Sequence, residues 1–228
     1  MRLKTIRLLC DSISKQKYFY TNKLGLKLVN QNEQFFAVQA GGTLLEFEHQ
    51  PGFIKQGYYH FAFNIVPTLL EAAVIHFLGP RNIPVLKNKN DTYTDFPDWN
   101  AKSVYFIDAE ENILEFIARY NLDEPTHDAT FNIEHIKCIS EIGIAVKETQ
   151  NFAETVKKQM DVQIWRDYGE TFKAIGDEHG LLLDVKEGRA WLPTIDHFNG
   201  HLPTEVTIEG PGKNFTYEDV YRFKYTNQ

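Results

Sequence analysis

A chain of 228 residues is long enough for one large domain or two small ones with a well-buried core. Its 43% hydrophobic, 14% aromatic and 24% charged residues exclude disordered and collagen-like classes. Basic residues number 24 against 31 acidic ones, and the resulting formal net charge of −7 disfavours nucleic acid as a partner.

Leu3 to Cys10 is short and rich in branched residues, and Asp11-Ser12 follows it, which predicts a strand ending at a helix start. Ser14 to Leu24 carries an apolar face, and Gly25 stands where a helix end needs a left-handed residue. Three strands follow at Leu26–Val29, Phe35–Gln39 and Thr43–Glu48, so the unit reads βαβββ. The order then repeats. A second unit has a strand at Tyr58–Ile65, a helix over Thr68–Leu78 closed by Gly79, a loop-like segment from 81 to 101, and strands at Ser103–Ile107 and Asn112–Ile117. After a polar connector (120–137) comes a third unit, with a strand at Ile139–Val146, a helix over Asn151–Met160 and strands at Val162–Trp165, Phe172–Ile175 and Gly180–Val185. A fourth begins at Pro203–Ile208 and is expected to be truncated, with a short helix from Thr216.

Two cysteines, Cys10 and Cys138, form neither a disulfide framework nor a CxxC pair. No signal peptide or membrane span is recognisable, so a cytoplasmic location without a membrane partner is expected. Gly210-Pro211-Gly212 lacks the phosphate-loop pattern, and no nucleotide cofactor is expected.

The segments FYTNKLGLKLV (19–29), GGTLLEFE (41–48) and WNAKSVYFIDAEENILEFIAR (99–119) resemble the vicinal oxygen chelate superfamily, which includes glyoxalase I, bleomycin-resistance proteins and extradiol dioxygenases. The resemblance covers residues 1 to 120 and continues more weakly in AIGDEHGLLLDV (174–185). It implies an α+β fold of repeated βαβββ modules, paired to form half-open curved mixed sheets with helices outside. It also implies a first pair over 1–120 enclosing a complete small-molecule site, a connector over 121–137, and a third module plus a truncated fourth over 138–228. Metal ligands of the family lie on the first and fourth strands of each module. Those positions here are Thr5, Glu46, His60 and Glu115, with Thr5 where the family commonly has histidine. The matching positions of the later modules are Glu141, Asp184 and Glu205, which read mainly as scaffold, with a second ligand pocket as the alternative.

Strand alternation gives an independent reading. It places Thr5 with Arg7, Glu46 with Glu48, His60 with Ala62 and Asn64, and Ile113 with Glu115 and Ile117 on one face of their strands. Ile6, Leu8, Leu45, Phe47, Phe61, Phe63, Leu114 and Phe116 then face the helices. His60, Glu46 and Glu115 would make a one-histidine, two-carboxylate site for Fe(II), Mn(II), Ni(II) or Zn(II), with Glu46 and Glu115 as the catalytic carboxylates. Thr5, Arg7, Glu48, Asn64, Tyr58 and Trp99 are the expected substrate contacts. The alternative is a metal-free pocket in which Arg7 pairs with Glu46 or Glu48 and supplies the positive charge.

Two functions follow. One is a metal-assisted isomerase or lyase acting on a small molecule with vicinal oxygens, closer to a glyoxalase than to an extradiol dioxygenase. The other is a noncatalytic drug- or metabolite-binding protein of the bleomycin-resistance type. An open sheet edge on the fourth module predicts a homodimer.

Overall fold

The computed structural model describes residues 1–53, 55–122 and 125–226. The first module comprises β1 (Arg2–Leu9), α1 (Ile13–Tyr18, continued by a π-helical turn over Phe19–Lys23), β2 (Lys27–Gln31), β3 (Phe35–Ala40) and β4 (Thr43–Glu48). Ser12 caps α1 through its hydroxyl, and Gly25 takes φ +85° where the helix ends, as its position predicts.

The second module has β5 (His60–Ile65) and a helix that begins as a 3-10 turn at Pro67–Leu69. That helix runs through α2 (Leu70–Ala72) into a π-helical segment, Ala73–Leu78. Gly79 does not stop it. Gly79 keeps right-handed angles in a further turn to Arg81, and the left-handed residue is Asn82, at φ 53°. The segment expected to be a loop contains two short strands, β6 (Val85–Leu86) and β7 (Thr94–Phe96), which pair with β8 (Ala101–Ile107). β9 (Ile113–Arg119) completes the module.

β10 (Ile136–Val146), α3 (Thr149–Met160), β11 (Ile164–Asp167), β12 (Phe172–Asp177) and β13 (Gly180–Lys186) form the third module. The fourth has β14 (Thr204–Glu209), β15 (Phe215–Tyr217) and β16 (Tyr221–Thr226). Thr216 lies in β15, not in a helix. Among the described residues this module lacks the helix and one strand, since β14 and β16 run parallel side by side like the first and fourth strands of the other three.

Module pairing departs from the sequence expectation. One sheet runs β15-β16-β14-β1-β4-β3-β2, joining modules one and four through the antiparallel pair β1–β14. The other runs β11-β12-β13-β10-β5-β9-β8-β6 and joins modules two and three through β5–β10. Residues 1–120 therefore do not enclose a site by themselves, because every module offers the same first-strand edge and two and three are neighbours as well as one and two.

The helix-facing sides of both sheets share one core. Ile6, Leu8, Leu45, Phe47, Phe61, Phe63, Leu114 and Phe116 belong to it, as alternation predicts, together with Phe152 and Val156 of α3. Within β13 the same alternation turns Leu181, Leu183 and Val185 to the opposite face and Leu182 and Asp184 toward α3. Asp184 is fully buried, and neither carboxylate oxygen has a hydrogen-bond partner. Burial raises its pKa to about 8, against a partial opposing pull from Lys173. No helix among the described residues is long and apolar enough to cross a membrane.

Candidate metal centre and cleft

The concave face of the second sheet carries a cluster of its own, built on Ala62, Trp99, Tyr105, Ile113, Ile117, Leu183, Val185 and Trp191. Above it opens a cleft of about 460 Å³, within the range typical of small-molecule sites. His60 from β5, Glu115 from β9 and Glu141 from β10 meet on the wall of this cleft. Each offers one ligand atom, and these atoms lie within 4.8 Å of one another. The strands bring them together because β5 sits between β9 and β10, with Ala62 opposite Glu115 on one side and Glu141 on the other.

Each member is oriented by neighbours. His60 Nδ1 donates to the Ile113 carbonyl at 3.1 Å, so Nε2 carries the lone pair and stands 3.5 Å from Glu115 Oε2. Burial lowers the His60 pKa to about 4, which keeps the ring neutral and able to ligate. Ser103 donates to Glu115 Oε1, and Tyr105, directly opposite on β8, also bonds to Glu115. Arg119 Nη2 pairs with Glu141 Oε1. Arg119 in turn donates through Nε to Asn64 Oδ1 at 3.1 Å, and that oxygen also accepts from Ser140 at 2.8 Å. Burial, followed by the Glu141 charge, raises the Glu115 pKa; burial also raises that of Glu141, against the pull of Arg119.

These residues fit a divalent ion. The 3.5 Å between Nε2 and Oε2 is long for a hydrogen bond. It is close to the roughly 3.4 Å that separates two ligand atoms each about 2.1 Å from a tetrahedral centre. Glu141 pairs with Arg119 through Oε1, and Glu115 turns Oε2 toward the His60 ring. The fourth symmetry-related position falls at Leu183, because Asp184 points to the other side of β13; three protein ligands leave room for two ligand oxygens.

Glu46, expected in the metal set, lies instead on β4 in the other sheet. There Arg7 Nε donates to Glu46 Oε2 at 2.7 Å, Arg7 Nη1 is 3.9 Å from Glu48, and Lys224 pairs with Glu205 at 2.7 Å. Thr5, Arg7, Glu46, Glu48 and Glu205 thus belong to the face of modules one and four, where a guanidinium supplies the positive charge. Of the other expected contacts, Trp99 lines the cleft. Asn64 is buried behind it as the clamp on Arg119. Tyr58 contributes its carbonyl, which accepts from Trp191 Nε1 at 2.7 Å, while its ring packs on His197.

Two residues that matter here, Arg119 and Trp191, escape the sequence reading, and a third, Glu141, reads there mainly as scaffold. Glu141 occupies the first-strand position of its module, as His60 does, but only the β5–β10 pairing makes it a partner of His60. Arg119 follows Glu115 by four residues in β9, so alternation places it on the same face. Trp191 comes from the segment linking β13 to β14, and its indole lies 5.0 Å from the His60 ring. Gly143 makes room for it, since a Cβ there would stand 2.4 Å from the indole Cη2.

No protein-family model and no curated protein sequence matches the chain. Solved structures do. A putative dioxygenase from Bacillus subtilis is similar with a TM-score of 0.62 at 16% identity, over 92% of this chain and 70% of that one. A glyoxalase I variant from Zea mays is similar at 0.59 and 12% identity, over 90% and 74% respectively. The chain shares with these structures a fold built of βαβββ modules.

Proposed function

We propose that the chain binds a small molecule with two adjacent oxygens in the cleft of modules two and three, on a divalent ion held by His60, Glu115 and Glu141, and acts on it as an isomerase or lyase. The observation that carries this reading is the convergence of three ligand atoms, from three strands, on the wall of a preformed cleft. A bound ion would polarise the two substrate oxygens as a Lewis acid. Around it the protein provides orientation and exclusion. His60 is fixed in the ligating tautomer, Ser103 and Tyr105 aim Glu115, and Arg119 with Asn64 aims Glu141. Glu115, facing the cleft, is placed to accept a proton from a substrate carbon beside the polarised oxygens. Trp99, Trp191 and Phe172 keep bulk water from the reacting atoms. A single histidine argues against extradiol cleavage, which uses the two-histidine, one-carboxylate arrangement.

Titration of metal-depleted protein with Mn(II), Ni(II) or Zn(II) tests the centre. Wild type and Glu46→Gln should bind one ion, and His60→Ala and Glu141→Gln should bind at least about tenfold more weakly. Absence of binding by wild type would end the proposal.

One observation favours a second reading, a noncatalytic binding protein: the Arg119–Glu141 pair balances charge in the cleft without an ion. In that case ligand affinity would be indifferent to chelators and no turnover would appear with any ion.

A further inference from the structure

The walls of the cleft say more about its ligand than the ligand atoms do. Phe96, Trp99, Tyr105, Tyr168, Phe172 and Trp191 all line it, from four separate stretches of chain. Their rings are already packed on one another: Trp99 lies 5.9 Å from Phe96 and 6.4 Å from Phe172, and Tyr168 lies 5.7 Å from Phe172. Trp99 Nε1 donates to the Tyr168 hydroxyl at 2.6 Å, which ties two walls together. Rings fixed in this way present flat faces to the space between them, and a planar π-system gains most from such surfaces.

Charge at the mouth is asymmetric. Asp95 lines the cleft but is paired with Lys102 at 3.0 Å. Asp98 also lines the cleft, and Arg166 Nη2 donates to its backbone carbonyl, not to its carboxylate, at 2.9 Å. Arg189 also lines the cleft and is exposed, with its guanidinium 5.6 Å over the Phe172 ring, and no carboxylate pairs with it among the described residues. It is the one lysine or arginine among the residues that line the cleft. A guanidinium braced on an aromatic ring and lacking a partner is suited to a planar anionic group arriving along that ring.

We propose that the cleft takes a flat aromatic anion whose ring stacks among Trp99, Phe172 and Trp191 and whose charged group is met by Arg189. The inference rests on the reading of this cleft as the ligand site, but not on the ion, since none of the stacking groups nor Arg189 belongs to the metal set.

The test uses a matched pair of probes, 2-naphthoate and its neutral amide, titrated into full-length protein by calorimetry and tryptophan fluorescence, with and without Mn(II). The expected results are saturable binding of 2-naphthoate in chelator-treated protein, a preference of about fivefold over the amide, loss of that preference in Arg189→Gln, and its recovery in Arg189→Lys. Circular dichroism of the variants checks the fold, which substitution at an exposed side chain leaves intact. Equal affinity for the two probes, or no effect of Arg189→Gln, overturns the assignment of Arg189. Absence of binding by either probe overturns the aromatic ligand class. Binding that needs Mn(II) and ignores position 189 is carried by the ion alone and also overturns the inference. The proposed function fails separately, if wild type holds no divalent ion.

Discussion

Asp184→Asn is expected to stabilise the protein at neutral pH and to leave it unchanged in acid. The carboxyl is buried under α3 with both oxygens unpartnered, and its pKa rises from the ordinary 3.8 to about 8. The folded state therefore holds a proton that the unfolded chain has released above pH 4. Stability from this group is fully present below pH 3.8 and falls as pH rises toward 8, by about 1.4 kcal/mol per pH unit. The loss reaches about 2 kcal/mol at pH 5 and about 4 kcal/mol at pH 7. Asparagine keeps the shape and does not titrate, so urea unfolding of wild type and variant should diverge by about 2–3 kcal/mol between pH 5 and pH 7. Every other ionisable group cancels in that difference. Parallel stability profiles over pH 5 to 8 would refute the reasoning. They would mean that Asp184 is ionised in the fold and that Lys173, its neighbour across the β12–β13 ladder, turns from Asp167 to meet it.

Other perturbations follow from the cleft. Arg119→Met leaves Glu141 buried without its cation and should cost about 3–5 kcal/mol in denaturant unfolding, most of which Arg119→Met with Glu141→Leu recovers; a double variant as weak as the single one would contradict the pairing. Gly143→Ala forces the Trp191 indole off β10, with an expected loss of about 1–3 kcal/mol and a shift in tryptophan emission; an unchanged spectrum would place the indole elsewhere. Arg7→Gln should leave metal affinity unaltered, because Arg7 and Glu46 serve the other sheet; a change in affinity measured by calorimetry would reconnect the two. The edge strand β2, mostly exposed and bonded on one side to β3, is expected to join a second copy, and light scattering at micromolar concentration that shows only monomer would count against this.

Much of the fold is legible in local pattern. Period-two alternation sorts Phe61 and Phe63 from His60 and Asn64, and Leu114 and Phe116 from Glu115, because one side of each strand must be covered by helices. The same rule names His60 and Glu115 as neighbours within one module, where the parallel pairing of first and fourth strands is local. It is silent about which modules pair. That choice is made between first-strand edges distant in sequence, and it removes Glu46 from the set and brings in Glu141. Short elements are equally hard to read: β6 and β7 have two and three residues, too few for a period, and hold their places only by pairing with β8. Asp184 shows the limit of motif matching, since a shift of one residue along β13 exchanges the cleft for the core.

The two sheets are nested along the chain, and this orders their assembly. Ile65 of β5 has Ile136 of β10 as its partner, whereas Leu3 of β1 has Ile208 of β14, far later in the chain. During synthesis the inner half can close while β1 still waits, its hydrogen-bonding edge open, for a strand made only after the third module is finished. A nascent chain stalled before β14 would thus carry a finished pocket and an unfinished neighbour.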